Sequence, residues 1–516
     1  MQTNFKAIFF LAVLAGCGGG GGGTAAPPVK TSDGNPGQGS GTVDTSGTRG
    51  FLRAGMNKVA SYDPATLKAQ IDKFGFIGAS INDAVASLPC GVDVHHFEYN
   101  TVGAAGEATT SSAALMIPTG SGAACSGKRP LMMYGHGSSN VQNVNMSDFS
   151  TKAPYGATSI TVAAMYAAQG YLVIAPNYAG YDTSTLSYHP HHIGDQNGKE
   201  MIDALSAGRS ALAAVSVSDN GKLFLTGYSE GGYVTMATAR AMQAAGIAVT
   251  AAAPQSGNYA ESVGYENVLT NPHALDDLSQ IDQESIMHYA MQIPVWQKAY
   301  GNLYSAITDV YSATYAAGIE GMFPTKGSTD ALFLTNKLPR YMLANDMPNY
   351  ASLTADQKLY YGTPETSLLK TSYVVKLVAD AGAHPCNVTS AVAPLDCAAT
   401  APMRLAALKN DLRTWTPKSP MLMCGGNGDN EVGFYNAQLT MAYFAAHGLA
   451  ANTVSVLDVD SPVAAGDPYA AAKTAFAKAR QRVVAANDNP NSNDNYHGYT
   501  AFIGCSVAVR DFFKNY

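Results

Sequence analysis

The stretch KLFLTGYSEGGYVTMATARAMQAA, Lys222 to Ala245, leaves a chain little freedom in how it folds. An apolar run without polar alternation is what a strand covered on both faces requires. It is cut by Gly227, Gly231 and Gly232 and passes at once into an Ala-rich helical pattern from Glu230 to Ala245. A strand, a tight turn and a helix in that order predict one unit of a parallel sheet with helices on its faces, and Ser229 stands in the turn.

The same rhythm recurs from about residue 92 onward. Candidate strands are VDVHHFEYNTV, SSAALMIPT, RPLMMYGHG, YLVIAPNY, KLFLTGYS, AVTAAAPQSG, SPMLMCGG and NTVSVLDV, with helices at Thr161 to Gln169, Glu200 to Val215 and Glu230 to Ala245. The fold class is therefore α/β with a mostly parallel central sheet. Between Ser256 and Ser419 the rhythm stops, and segments such as SIMHYAMQIPVWQKAYGNLYSAI read as helical. The expected organisation is a core of 51–260 and 401–516, interrupted by a mostly helical cap or lid over 261–400.

The first residues, a Lys followed by apolar Ala7 to Ala15, have the layout of a signal peptide and are too short to span a bilayer. LAGC, Leu14 to Cys17, resembles a bacterial lipobox, which implies a signal peptide of 1–16, acylation of Cys17 and attachment to the outer membrane, or secretion if the lipobox is not used. Residues 17–50 open with six consecutive glycines after Cys17 and read as a flexible tether. The six other cysteines form an even set in an exported chain; proximity pairs Cys386 with Cys397, and the order of elements pairs Cys90 with Cys125 and Cys424 with Cys505. Charged residues are 13% of the chain and the net charge is −7, so no basic face for nucleic acid is present.

A G-x-S-x-G pattern alone is weak, since a chain with 51 glycines among 516 residues supplies roughly 0.4 copies by chance. Here the strand before it and the helix after it supply the context, with Gly227 and Gly231 leaving room for a strained turn that lifts Ser229 above the sheet. A serine hydroxyl needs a base to take its proton and a carboxylate to orient that base, in the order Ser, Asp or Glu, His. Asp429, in NGDNEV after a candidate strand, is the expected acid, with Glu431, Asp458 and Asp460 as substitutes; Asp429 could otherwise cap a helix beginning near Val432. Of the histidines that follow, His447 reads as the last turn of a helix before a Gly stop, a structural place. His497, in the polar loop NDNYHGYTAF, is the expected base. Two backbone N–H groups must hold a developing oxyanion: Glu230, after the nucleophile, and Ser138 in YGHGSSN, with Gly137 as the second choice. His136 reads as shaping that loop, YHPHH (Tyr188 to His192) as a loop or pocket wall, and His95 and His96 as pointing to opposite faces of a strand. No cofactor or metal is expected.

Taken in order, YGHGSS, GYLVIAPNYAGYDTST with HPHH, GYSEGG, AAAPQSGNY, GNGDNEV and HGYTAF resemble the α/β-hydrolase fold, and within it the secretory lipase branch of serine esterases typified by the fungal lipase A type. The resemblance covers roughly 90 to 260 and 405 to 516, and implies a helical cap over an acyl-binding pocket. Two departures stand out: Asn177 in APNY where an acidic residue often follows the Pro, and DPYAAAKTAFAKARQRVV, an inserted helix before His497. The expectation is a monomeric serine carboxylic-ester hydrolase acting on small-molecule or lipid esters and tethered to a membrane by its N-terminal lipid. A serine peptidase or acyltransferase on the same fold is one alternative. A catalytically inactive, surface-tethered binding protein is another.

Overall fold

The computed structural model describes residues 47–53, 55–270, 283–359, 361–395 and 397–516. The expected signal peptide, Cys17 and all but the last residues of the expected tether lie outside the described residues.

In chain order the strands are β1 (Asn57–Tyr62), β2 (Gly91–Val102), β3 (Ala108–Thr119), β4 (Arg129–Gly135), β5 (Leu172–Pro176), β6 (Asp219–Tyr228), β7 (Ala251–Gln255), β8 (Leu343–Ala344), β9 (Tyr361–Gly362), β10 (Met421–Gly425) and β11 (Val454–Asp458). Nine of them form one sheet in the order β1-β2-β3-β5-β4-β6-β7-β10-β11, and β8 pairs with β9. From β5 to β11 every pairing is parallel, while β1, β2 and β3 pair antiparallel at one edge. Every residue of β5, β7 and β10 is buried, which explains their unbroken apolar character. Each fully covered Leu, Ile or Val there contributes about 1.5–3 kcal/mol.

The helices that flank the sheet begin with α1 (Pro64–Asp72), α2 (Gly75–Val85), α3 (Gly156–Met165), α4 (Gly194–Ala214) and α5 (Glu230–Ala244). The helices expected at Thr161 and Glu200 start earlier, at Gly156 and Gly194, because glycine-containing first turns carry no apolar signal but pack closely: an added side chain at Gly156 would strike the Ser150 carbonyl. In-register pairs Gly135 with Gly227, Tyr228 with Gln255 and Gln255 with Cys424 bring the loops after β4, β6, β7 and β10 to one sheet edge. That is where catalytic groups collect in open α/β sheets.

Between β7 and β10 the chain forms α6 (Glu261–Thr270), α7 (Gln283–Tyr300) and several shorter helices. Their apolar side chains, Trp296, Val310, Tyr311 and Leu368 among them, make a cluster of their own, joined to the core through Leu186, Tyr188 and Ile193 from the segment after β5. Arg404, fully buried, ties this region together by pairing with Glu266 on α6 and with Asp380.

Among the described residues three disulfides occur, Cys90–Cys125, Cys386–Cys397 and Cys424–Cys505, in the expected pairing. An oxidised set of this kind marks an exported protein. Among the described residues no helix is long and apolar enough to cross a membrane.

Candidate active site

Ser229 ends the turn between β6 and α5 with φ 60° and ψ −123°, a strained conformation for a residue with a side chain. The turn can be this sharp only because its neighbours lack side chains. A Cβ at Gly227 would come within 2.4 Å of the Gly231 carbonyl oxygen, one at Gly231 within 2.0 Å of that of Gly135, and one at Gly232 within 2.2 Å of that of Gln255. The result sets Ser229 at the N-terminus of α5, where the first N–H groups have no partner within the helix.

His497 Nε2 lies 2.8 Å from Ser229 Oγ, and His497 Nδ1 lies 2.7 Å from Asp429 Oδ2. His497 and Asp429 are buried and Ser229 is half-buried. The other oxygen of Asp429 accepts from the backbone N–H groups of Glu431 and Val432, so the turn that a helix cap was expected to serve instead fixes the carboxylate. The helix that follows starts later, at Tyr435. Of the other acids considered, Glu431 approaches the wrong ring nitrogen, at 3.9 Å from Nε2, Asp458 accepts from the Asn427 and Asp460 N–H groups, and Asp460 accepts from the Tyr496 hydroxyl.

One expectation is corrected. His497 is not in a loop: Tyr496–Ala501 is a π-helical turn running into the last helix, Phe502–Phe513. The Asn- and Asp-rich composition suggests a loop, but tertiary contacts override it. The Tyr496 hydroxyl binds Asp460 and receives the Gly428 N–H, and the Tyr228 hydroxyl donates to the His497 carbonyl at 2.7 Å. The imidazole is thus held from below rather than mobile, and π-turns of this sort occur frequently at functional sites. His447, as expected, ends the helix Tyr435–Ala446 ahead of Gly448 at φ 84°.

The loop after β4 lies against the nucleophile, since a Cβ at Gly137 would sit 3.4 Å from that of Ser229. Each of its carbonyls is drawn away by a tyrosine hydroxyl, from buried Tyr178 and Tyr181 and half-buried Tyr155. The Tyr178 hydroxyl holds the His136 carbonyl, the Tyr155 hydroxyl those of Gly137 and Ser138, and the Tyr181 hydroxyl that of Ser139. His136 is fully buried between the carbonyls of Gly137 and Asn177, and that burial pushes its pKa down to about 4, so it stays neutral and braces the loop. Asn177, at the position that departs from the lipase pattern, receives the Met146 N–H and donates to Ser112 and Asp182.

One cluster was not visible in the sequence. Glu230 is fully buried beside the nucleophile, with Oε1 2.5 Å from His189 Nε2 and Oε2 3.8 Å from His191 Nε2. Burial alone would raise its pKa, but the imidazoles of His189 and His191 hold it well below the usual carboxylate range. Burial lowers His189, and the Glu230 carboxylate more than offsets this, leaving it raised. Burial, with His192 stacked on it, drives His191 well below its usual range. His192 in turn pairs with Glu261 at the start of α6. The YHPHH segment is therefore a packed wall behind the nucleophile. His96 binds Asp182 while His95 lies buried on the other face of β2. Among the described residues no group of three or more His, Cys, Asp or Glu side chains is placed to hold a metal ion.

With this geometry in view, the chain can be set beside known proteins. The model of the prolyl oligopeptidase family matches residues 157–290. A crystal structure of LipA, a rice cell wall degrading esterase from Xanthomonas oryzae, is 27% identical, covering 80% of this chain and 91% of that one with a TM-score of 0.62. A ligand-bound form of LipA is 25% identical over 90% of this chain and 98% of the other, with the same TM-score. The chain has the α/β-hydrolase fold. A structure from Legionella pneumophila, 16% identical over 90% of this chain and 97% of its own with a TM-score of 0.60, shares the fold. No curated protein matches the chain. The family match and the esterase neighbours together support a serine hydrolase on this fold.

Proposed function

We propose that the protein is a carboxylic-ester hydrolase in which Ser229, His497 and Asp429 form the catalytic triad. The observation that carries the reading is the continuous hydrogen-bonded path from Asp429 through His497 to Ser229, at 2.7 Å and 2.8 Å. In the proposed reaction His497 takes the hydroxyl proton as Ser229 Oγ attacks the ester carbonyl. The backbone N–H groups of Glu230 and Ser138 receive the oxyanion, and His497 then protonates the departing alcohol. Water, activated by the same imidazole, cleaves the acyl-enzyme.

The ester substrate class is supported by the likeness to the esterase LipA, and the helical segment 261–400 is proposed as the cap that covers the acyl group. Acylation of Cys17 and attachment to the outer membrane complete the reading. A peptidase reading is favoured by the prolyl oligopeptidase match, but that match includes Ser229 and neither Asp429 nor His497.

The test is hydrolysis of p-nitrophenyl esters from acetate to palmitate by the wild type and by Ser229→Ala. Loss of about a thousandfold or more in the variant, with wild type labelled by a serine-directed phosphonate, is expected. Labelling with peptide cleavage and no ester turnover would transfer the reading to a peptidase.

A further inference from the structure

The Ser138 side chain has a partner that a merely structural loop serine would not need. Its Oγ lies 3.1 Å from His191 Nε2, and that nitrogen faces Glu230 Oε2, which has no hydrogen-bond partner among the described residues. His191 is buried and neutral, so it carries one N–H. Its Nδ1 is buried with no partner among the described residues. An unpartnered lone pair is better tolerated there than an unpartnered N–H, and the Glu230 carboxylate favours a proton on Nε2. The proton therefore resides on Nε2 and is donated to Ser138 Oγ. Ser138, accepting from His191, must send its own hydroxyl proton elsewhere, and it is half-buried on the loop where a Cβ added at Gly137 would stand 3.4 Å from that of Ser229 and 3.9 Å from its Oγ.

We infer that the Ser138 hydroxyl is a third oxyanion donor, a catalytic group beyond the two backbone N–H groups, with His191 and Glu230 as the positioning residues that aim it. This rests on the ester-hydrolase reading above. Glu230 would then serve the oxyanion twice: directly through its N–H, and through its carboxylate by way of His191 and Ser138. No proton changes owner along that path. The hydroxyl only donates more strongly as charge develops on the carbonyl oxygen, because its own acceptor site is already filled by the His191 N–H.

Ser138→Ala isolates the claim, because alanine keeps the backbone N–H and removes only the hydroxyl. On p-nitrophenyl butyrate the expected result is a fall in kcat of about a hundredfold with KM within about twofold, since the bond is made to the transition state rather than to bound ester. Affinity for a trifluoromethyl ketone, which forms a tetrahedral oxyanion on the nucleophile, should fall in parallel, and Ser138→Thr should restore most of both. A Ser138→Ala enzyme with kcat and ketone affinity within twofold of wild type overturns the inference. So does a variant whose kcat and KM deteriorate together and which Thr does not rescue, because that is the pattern of a packing role. Failure of the underlying reading is separately visible: Ser229→Ala would then retain activity, whatever Ser138→Ala does.

Discussion

Replacing Gly231 by Ala tests the geometry of the whole site with a single methyl group. A Cβ at this position would meet the Gly135 carbonyl oxygen at 2.0 Å, its carbonyl carbon at 2.4 Å and the His136 carbonyl oxygen at 2.8 Å. All three are backbone atoms, so no side chain can swing aside. Relief requires at least 3.0 Å at the nearest of them, so the start of α5 and the end of β4 must separate by 3.0 − 2.0, about 1 Å. That gap opens directly between the helix end carrying Ser229 and Glu230 and the loop carrying Gly137 and Ser138. A misplacement of about 1 Å costs roughly a hundredfold in rate, and strain of this kind costs about 1–3 kcal/mol of stability. Steady-state kinetics on p-nitrophenyl butyrate, normalised by phosphonate titration of active serines, and thermal unfolding measure the two separately. Gly382→Ala is the control: it lies in the helix Thr371–Ala383 with nothing within 4 Å of its added Cβ, and should be neutral or stabilising by up to about 1 kcal/mol. If Gly231→Ala keeps kcat within threefold of wild type at unchanged stability, the turn does not depend on the close approach described, and the reasoning fails.

Asp429→Asn should leave the fold intact and lower kcat by about 10³–10⁴, because the amide can no longer orient and balance the charge of the His497 imidazolium; unchanged ester kinetics would remove Asp429 from the triad. Glu230→Gln tests the buried pair with His189. The folded pKa of His189 is raised, so its contribution is fully present below the unfolded value and is lost as pH rises through the folded value. Glu230, depressed by His189 and His191, contributes stability that is lost only in strong acid. Wild type should therefore lose stability as pH rises above about 6.5, and the variant should be weaker by about 3–5 kcal/mol at pH 6 with a shallower decline; parallel pH–stability curves from chemical denaturation would refute the pairing.

Which parts of the molecule could be read from its letters follows from how local their causes are. Ser229 was legible because strand, glycines and helix are contiguous, and the clash that excludes a side chain at Gly227 lies with Gly231 in the same turn, whereas the one at Gly231 lies with the Gly135 carbonyl on β4. Asp429 was legible because a continuous apolar strand ends just before it. His497 was reached by eliminating His447, but its π-turn was not, because the Tyr228, Tyr496 and Asp460 contacts that hold it come from other elements. β1 was missed because NKVASY is half-exposed at a sheet edge and lacks a continuous apolar run. The pairing of Glu230 with His189 spans 41 residues. Its signal was present in retrospect: a carboxylate in a turn this tightly packed must be buried, and a buried carboxylate needs a partner.

The Cys424–Cys505 bridge joins β10 to the final helix and closes a loop of 81 residues. Both Asp429 and His497 lie inside that loop, so the acid and the base are carried on a single covalent ring while the nucleophile lies outside it. Closing a ring of this length removes about 4.5 kcal/mol of freedom from the unfolded chain. Disulfides form and persist in oxidising compartments and are rare in the cytosol, so in an exported protein a ring of this kind closes after export. On the proposed reading, the ring that carries the acid and the base is covalently closed only on the oxidising side of the membrane, while the nucleophile needs no such closure to be held in place.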